Sequence, residues 1–188
     1  MPFSDLYDRV QEQTPKISSR WIRDEVIHLT HISAVKEQWT GLIDTESMRG
    51  FFIEGPLKPP VPLAENEALI VLARALPKEW RRFVYTKELM HAFDTPEEKA
   101  DTPEKFDLQV ERLGDPSAEI SPQYRAEAKA FWRALATLCP EEHRLAFKAA
   151  TEAGEISPAV IGARLQIPTQ YVRNLLREDF TAIVEKLK

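Results

Sequence analysis

The residues of this chain best suited to chemistry lie in one short run, Arg82–His91, RFVYTKELMH. Lys87, Glu88 and His91 recur at spacings of three and four, so a helix turns them toward one side. Their types are complementary. Glu88 offers a carboxylate, His91 an imidazole that titrates near neutrality, and Lys87 an ammonium with three donors and no lone pair. The same string is also inexpensive on any exposed helix, because lysine and glutamate are good helix formers. His28 and His31, three apart at the end of a predicted helix, could face one side and lend a metal ligand. Histidines at a helix end are equally explained by the dipole. His143, beside Glu141 and Glu142 in a predicted first turn, reads as surface. Cys139 follows Leu138 on an apolar side and reads as a small buried hydrophobe. A cysteine nucleophile there would have only His143, four residues on, to activate it. The chain has no glycine-rich phosphate loop, serine-nucleophile elbow or paired-cysteine metal motif.

Composition narrows the classes of function. A chain of 188 residues suits one domain with a small appendage and can bury a core without disulfide or metal staples. Twenty-five basic residues against thirty acidic ones leave a net charge of -5, which argues against broad binding to phosphate backbones. The single cysteine cannot form an internal disulfide, which fits a reducing cytoplasm. No apolar run approaches the roughly 18 residues of a spanning helix, and no basic-then-apolar signal opens the chain. The expectation is a cytoplasmic protein with no membrane partner.

The elements that position these residues follow from periodicity. Ser4 reads as the cap of a helix to about Gln13, with Leu6 and Val10 on one face. A second helix follows Ser19, with Ile22, Val26 and Leu29 in register. Met48–Glu54, MRGFFIE, predicts a strand, and Glu67–Leu72, EALIVL, a second strand pairing with it. Pro56, Pro59, Pro60 and Pro62 stiffen the loop between them. From Lys78 to Phe93 there is neither proline nor glycine, which predicts one helix opened by Pro77. Trp80, Val84, Lys87, Glu88 and His91 share one of its faces and Phe83, Met90 and Phe93 another, the pattern of a central, buried helix.

Further along, Thr95-Pro96 and Thr102-Pro103 read as helix starts, the second carrying Phe106, Val110 and Leu113 and stopped by Gly114. Ser121-Pro122 opens a helix with Tyr124, Ala128, Phe131, Leu135 and Leu138 along one side. Pro140 starts another, carrying Leu145 and Ala149 and ending at Gly154. Ser157-Pro158 caps a helix to Leu165, Gln166-Ile167 turns the chain, and Pro168-Thr169 starts a last helix with Val172, Leu175 and Leu176. The predicted fold class is α+β: a small antiparallel or mixed sheet packed against a mostly helical body. Residues 1–154 form the expected main domain, and 155–188 a helical segment packed on it.

The Arg82–His91 run resembles the active-site helix of the ImmA/IrrE-type zinc metallopeptidases, whose pattern is R-F-T-x-A-H-E-L-G-H. Arg82, Phe83, Glu88, Leu89 and His91 match it. The flanks match in order: a glycine-aromatic strand and an apolar strand before the helix, then Glu127-Ala128-Lys129-Ala130-Phe131 and Thr137-Leu138-Cys139-Pro140 after it. The resemblance covers roughly residues 20–176 through scattered matches. It implies a zincin-like domain over 1–154, with His91 and Glu127 at metal-ligand positions and Glu88 at the position of the general base. In the intact motif, two histidines on one helical turn and a third ligand from another helix hold zinc, and the glutamate works on the metal-bound water.

This sequence departs from that pattern at Lys87, which stands where the first histidine belongs, and at Met90, which replaces a glycine. An ammonium has nothing to give a metal, so His91 and Glu127 are an incomplete ligand set. The expected arrangement has the Lys87 ammonium in the place of zinc, paired with Glu127 and with Glu88; no cofactor is then expected. The resemblance then implies a catalytically impaired homologue that acts as a regulatory or protein-binding factor. Family members often work beside helix-turn-helix repressors in prophages, mobile elements and stress responses, so such a repressor is the partner implied. One alternative is an active zinc endopeptidase that cleaves a repressor, with Glu88 as base, His91 and Glu127 as ligands, and water or a distant side chain completing the set.

A second alternative comes from Ser157–Leu176, SPAVIGARLQIPTQYVRNLL, which reads as helix-turn-helix-like with Ala163, Leu165, Ile167, Val172 and Leu175 at its core positions. Gln170, Arg173 and Asn174 could read DNA from such a segment, although Glu178 and Asp179 follow closely. The simpler expectation is a helical hairpin packed on the body.

Overall fold

Two amphipathic helices lead into the sheet in the computed structural model, which describes residues 3–14, 16–46, 48–58, 61–99 and 122–188. Helix α1, Phe3–Gln11, buries Phe3, Leu6, Tyr7 and Val10, one stripe at helical spacing. Helix α2, Ser19–Leu29, buries Ile22, Val26 and Leu29. Its cap is Ser18, whose hydroxyl accepts from the Trp21 N–H at 3.1 Å. The helix stops at Thr30, where backbone N–H and hydroxyl both donate to the Val26 carbonyl.

A mixed three-stranded sheet follows, in the order β1-β3-β2. The expected pair is present as β2, Gly50–Glu54, antiparallel to β3, Glu67–Ala73. A third strand, β1, Ala34–Thr40, lies parallel to β3 on its other side. The sequence pattern hid it because Lys36, Glu37 and Gln38 fill its middle, and at a sheet edge such residues are exposed. Central β3 is buried from Ala68 to Ala73, which explains its continuous apolar run. Its outer face is covered by Leu63, Ile43, Phe51, Ile53 and Val61 around Leu69 and Val71. Gly50 is required where the sheet meets the next helix: a Cβ there would lie 2.8 Å from Leu72 Cδ2 and 2.9 Å from both the Val71 carbonyl and Val84 Cγ1.

Helix α3, Lys78–Leu89, crosses the sheet and buries Phe83, Val84, Tyr85, Thr86, Glu88 and Leu89. It is the buried central helix the two apolar faces predicted. It does not run unbroken to Phe93, however. Met90–Phe93 tightens into a 3-10 turn, closed by the Asp94 N–H donating to the His91 carbonyl at 3.1 Å. Thr95-Pro96 then makes only a turn, in which the Glu98 carboxylate accepts from the Thr95 N–H. The helix expected from Thr102 to Leu113 and the cap at Ser121 lie outside the described residues.

Helix α4, Pro122–Leu138, buries Ala126, Ala130, Ala134, Leu135, Ala136 and Leu138. Its inner face is set by small alanines, which let it lie close to its neighbours, and is rotated from the expected stripe: Tyr124 is 61% exposed and Ala128 faces outward. Helix α5, Glu141–Glu152, follows a buried Cys139, and Gly154, at φ +74°, takes the left-handed turn after it. Leu145 on α5 is half exposed. Helices α6, Pro158–Leu165, and α7, Thr169–Leu175, are joined through Gln166 in left-handed conformation and buried Ile167. Leu165, Val172 and Leu175 are buried as expected, but Ala163 is exposed and Ile161 occupies the inner position. A further helix, α8, Phe180–Glu185, continues past the expected last one.

One hydrophobic core joins the helices to the inner face of the sheet, from Phe3 on α1 through Phe83 and Leu135 to Phe180 and Val184 on α8, while the cluster around Leu69 and Val71 covers the sheet's other face. The architecture is a mixed α+β fold, a small sheet packed against several helices. No described helix is long and apolar enough to cross a membrane.

Candidate functional site

Four side chains singled out in the sequence meet in the structure. Helix α3 supplies Lys87 and Glu88, the 3-10 turn supplies His91, and α4, lying alongside, supplies Glu127. The Lys87 Nζ donates to Glu127 Oε2 at 2.5 Å and lies 3.0 Å from Glu88 Oε1. His91 Nε2 stands 3.4 Å from Glu127 Oε1 and 3.7 Å from Glu88 Oε2. Two cations and two carboxylates therefore alternate around one point, with Phe52 of β2 a tilted 6.4 Å from the imidazole.

Two further residues, which the sequence pattern did not single out, fix the imidazole. His91 Nδ1 lies 2.6 Å from Asp94 Oδ2, and Asp94 Oδ1 accepts from the Arg133 guanidinium at 3.2 Å. Asp94 follows from its spacing, three residues past His91 and beyond a helix end. Arg133 gave no signal, because its burial depends on α4 being rotated as it is. This Asp94 pairing turns His91 Nε2 toward the carboxylates.

Lys87, His91 and Glu127 favour their charged forms at neutral pH. Burial works against the Lys87 ammonium, but Glu88 and Glu127 outweigh it and hold that amine above its ordinary range. Burial likewise opposes a charged His91; its bonds to Asp94 and Glu127, with Glu88 near, push it up to about 10. For Glu127 burial favours the neutral acid, yet Lys87 and then His91 hold its carboxyl well below the usual range. The Glu127 side chain is 39% exposed at the rim, so solvent screens part of that pull. Neither a protonated imidazole nor an ammonium offers a lone pair, so Lys87 and His91 stand in this arrangement as the cations of an ion-pair network with the two glutamates.

Zinc, which the resemblance implies, does not fit these residues. His91 and Glu127 are two donors, and the space between them and Glu88 is taken by the Lys87 Nζ. Among the described residues, no group of three or more His, Cys, Asp and Glu side chains could hold a metal ion. Met90, the other departure from the pattern, is fully buried, its Sδ accepting from the Thr137 hydroxyl at 3.6 Å.

The remaining matched residues are structural. Arg82 is half-buried and donates to the carbonyls of Leu165 and, at 2.5 Å, Ile17, tying α3 to the end of α6 and to the segment before α2; desolvation lowers its pKa to about 10. Phe83 packs edge-on against Phe131 and at a tilt against Tyr171. His31 and His28 do not join the cluster. His31 Nε2 pairs with Glu54 Oε1 at 2.5 Å, and Glu54 accepts from Lys99 at 2.7 Å. With Asp94, both histidines line a cavity of about 410 Å³ between the end of α2 and the 3-10 turn. Cys139 is buried, and its thiol is pushed up to about 12 by that burial, which makes it inert as a nucleophile. Compared with protein-family models, with curated proteins and with solved structures, the chain matches none.

Proposed function

We propose that the chain is a zincin-like metallopeptidase homologue in which Lys87 supplies the charge of the lost metal, and that it works as a regulatory binding protein rather than as a peptidase. The observation that carries this reading is the Lys87 Nζ held between Glu127 Oε2 and Glu88 Oε1, with His91 Nε2 facing the same carboxylates. A cation there keeps the Glu127 carboxyl ionised, but an ammonium has no coordination site with which to bind and acidify a water as zinc does. Several features of the surroundings support the same reading. The helix bearing Lys87 packs on the sheet, the glycine-aromatic strand β2 lies next to the site, and the third residue arrives from a separate helix. The partner class is a regulatory protein such as a helix-turn-helix repressor, bound without being cut.

The reading is tested by titrating zinc into wild-type protein and Lys87→His while following thermal unfolding. Restoring one imidazole adds a third donor beside His91 Nε2 and Glu127. The variant is then stabilised by about 2.7 kcal/mol at zinc a hundredfold above its Kd, while the wild type does not respond. A wild-type response equal to the variant's, with zinc-dependent cleavage of a repressor, would establish the peptidase instead.

A further inference from the structure

The geometry points to a second surface with a different ligand: the exposed side of α6 and α7 binds double-stranded DNA, with α7 in the major groove. Three observations carry this, and none involves the Lys87 cluster.

The first is the backbone. Helix α6 of eight residues and α7 of seven are joined by Gln166–Pro168, with Gln166 left-handed at φ 54° and Ile167 buried beneath the turn. Ile161, Leu165, Val172 and Leu175 close the angle between the helices from inside. Gly162 sits at their closest approach, where a Cβ would lie 3.1 Å from the Ile167 carbonyl and 3.2 Å from Thr169 Oγ1. Two short helices locked this way form a rigid corner, the geometry that presents a second helix to a DNA groove.

The second is the outer face of α7. Thr169, Gln170 and Arg173 are exposed, and Asn174 is half exposed beside them. These are side chains that pair with base edges and phosphates. The inner face is spent on the body, where Tyr171 packs against Trp80, Phe83 and Phe131.

The third is charge. The chain carries thirty acidic residues, yet none falls between Ile156 and Arg177, which holds Arg164, Arg173 and Arg177. The net negative charge is therefore carried elsewhere. The two acids that follow the segment are matched: Asp179 is bound by Arg177, and Glu178 by Lys148. Arg164 and Arg173 are exposed and make no ion pair among the described residues, which leaves both for phosphates.

Fluorescence anisotropy of the full chain with a labelled random-sequence duplex of about 20 base pairs tests this, read from about 50 to 200 mM salt. Wild-type protein should bind at low salt and weaken steeply as salt rises. Arg164→Ala with Arg173→Ala should lower affinity roughly tenfold and reduce the salt slope by about one for each phosphate no longer neutralised. Selection from a random pool should enrich a sequence that wild type prefers and Gln170→Ala does not. Circular dichroism confirms folding of these surface variants. No binding at low salt overturns the proposal, and the face is then a protein contact or bare surface. Binding undiminished in the double arginine variant overturns it equally, because the DNA is then held elsewhere.

Discussion

Replacing Lys87 with methionine leaves Glu88, only 2% exposed in its side chain, facing Glu127 with its nearest cation gone. A buried carboxylate that loses its partner costs several kcal/mol, so Lys87→Met should lower stability by roughly 3 kcal/mol in urea unfolding. Adding Glu88→Leu should recover much of that loss, because an apolar pair of similar volume needs no counter-ion. If the single variant is as stable as wild type, the ammonium is not the cation of the cluster. The pH dependence has a definite sign. His91 is raised from 6.5 to about 10, so its contribution is complete below pH 6.5 and lost as pH rises through 10. The Glu127 carboxyl is lowered, so its contribution holds above its ordinary 4.5 and fades as pH falls. The stability gap between wild type and His91→Gln should therefore narrow between pH 6.5 and 10; a constant gap would show that His91 is not protonated in the fold. At this scale much was legible. Lys87, Glu88 and His91 could be named from residue type and spacing, and Glu127 from resemblance. Arg133 could not be, because an arginine on a helix carries no mark of the side it will face.

Among the elements, apolar periodicity located α1, α2, β2, β3 and α3, since each buries a stripe wide enough to leave a pattern. It missed β1, whose Lys36, Glu37 and Gln38 satisfy a solvent-exposed edge as well as they would a loop. It also misplaced the inner face of α4, where alanines form the contact and the aromatic Tyr124 is exposed. Small residues win that face because packing distance, not hydrophobic bulk, decides it. The change from α-helix to 3-10 turn at Met90 had no sequence signal beyond Asp94 and Pro96 ahead of it. Gly50 offers the clearest test of how α3 is seated. Gly50→Val sets a side chain against the Val71 carbonyl, Leu72 and Val84, and overpacking of this kind costs about 1–3 kcal/mol. The loss should appear both in the urea midpoint and as faster amide exchange in β2 and β3. Unchanged exchange in those strands would mean that helix and sheet part more readily than the packing indicates.

For the molecule as a whole, Arg82 is the residue that joins distant parts, binding the carbonyls of Ile17 and Leu165 from the middle of α3. The same helix carries Lys87 one turn and a half further on, so the ion-pair cluster is built on a helix that packs its buried face on the sheet. That placement explains how four charged side chains are held in shape: Lys87 and His91 sit between Glu88 and Glu127, each cation within reach of both carboxylates. The central claim is that Lys87 replaces a metal, and it is tested most directly by the metal content of the wild-type protein, purified without chelator and measured by plasma mass spectrometry. With the ammonium in that place, zinc and every other transition metal should fall far below one equivalent per chain. One tightly held equivalent, lost on His91→Ala or Glu127→Ala, would contradict it.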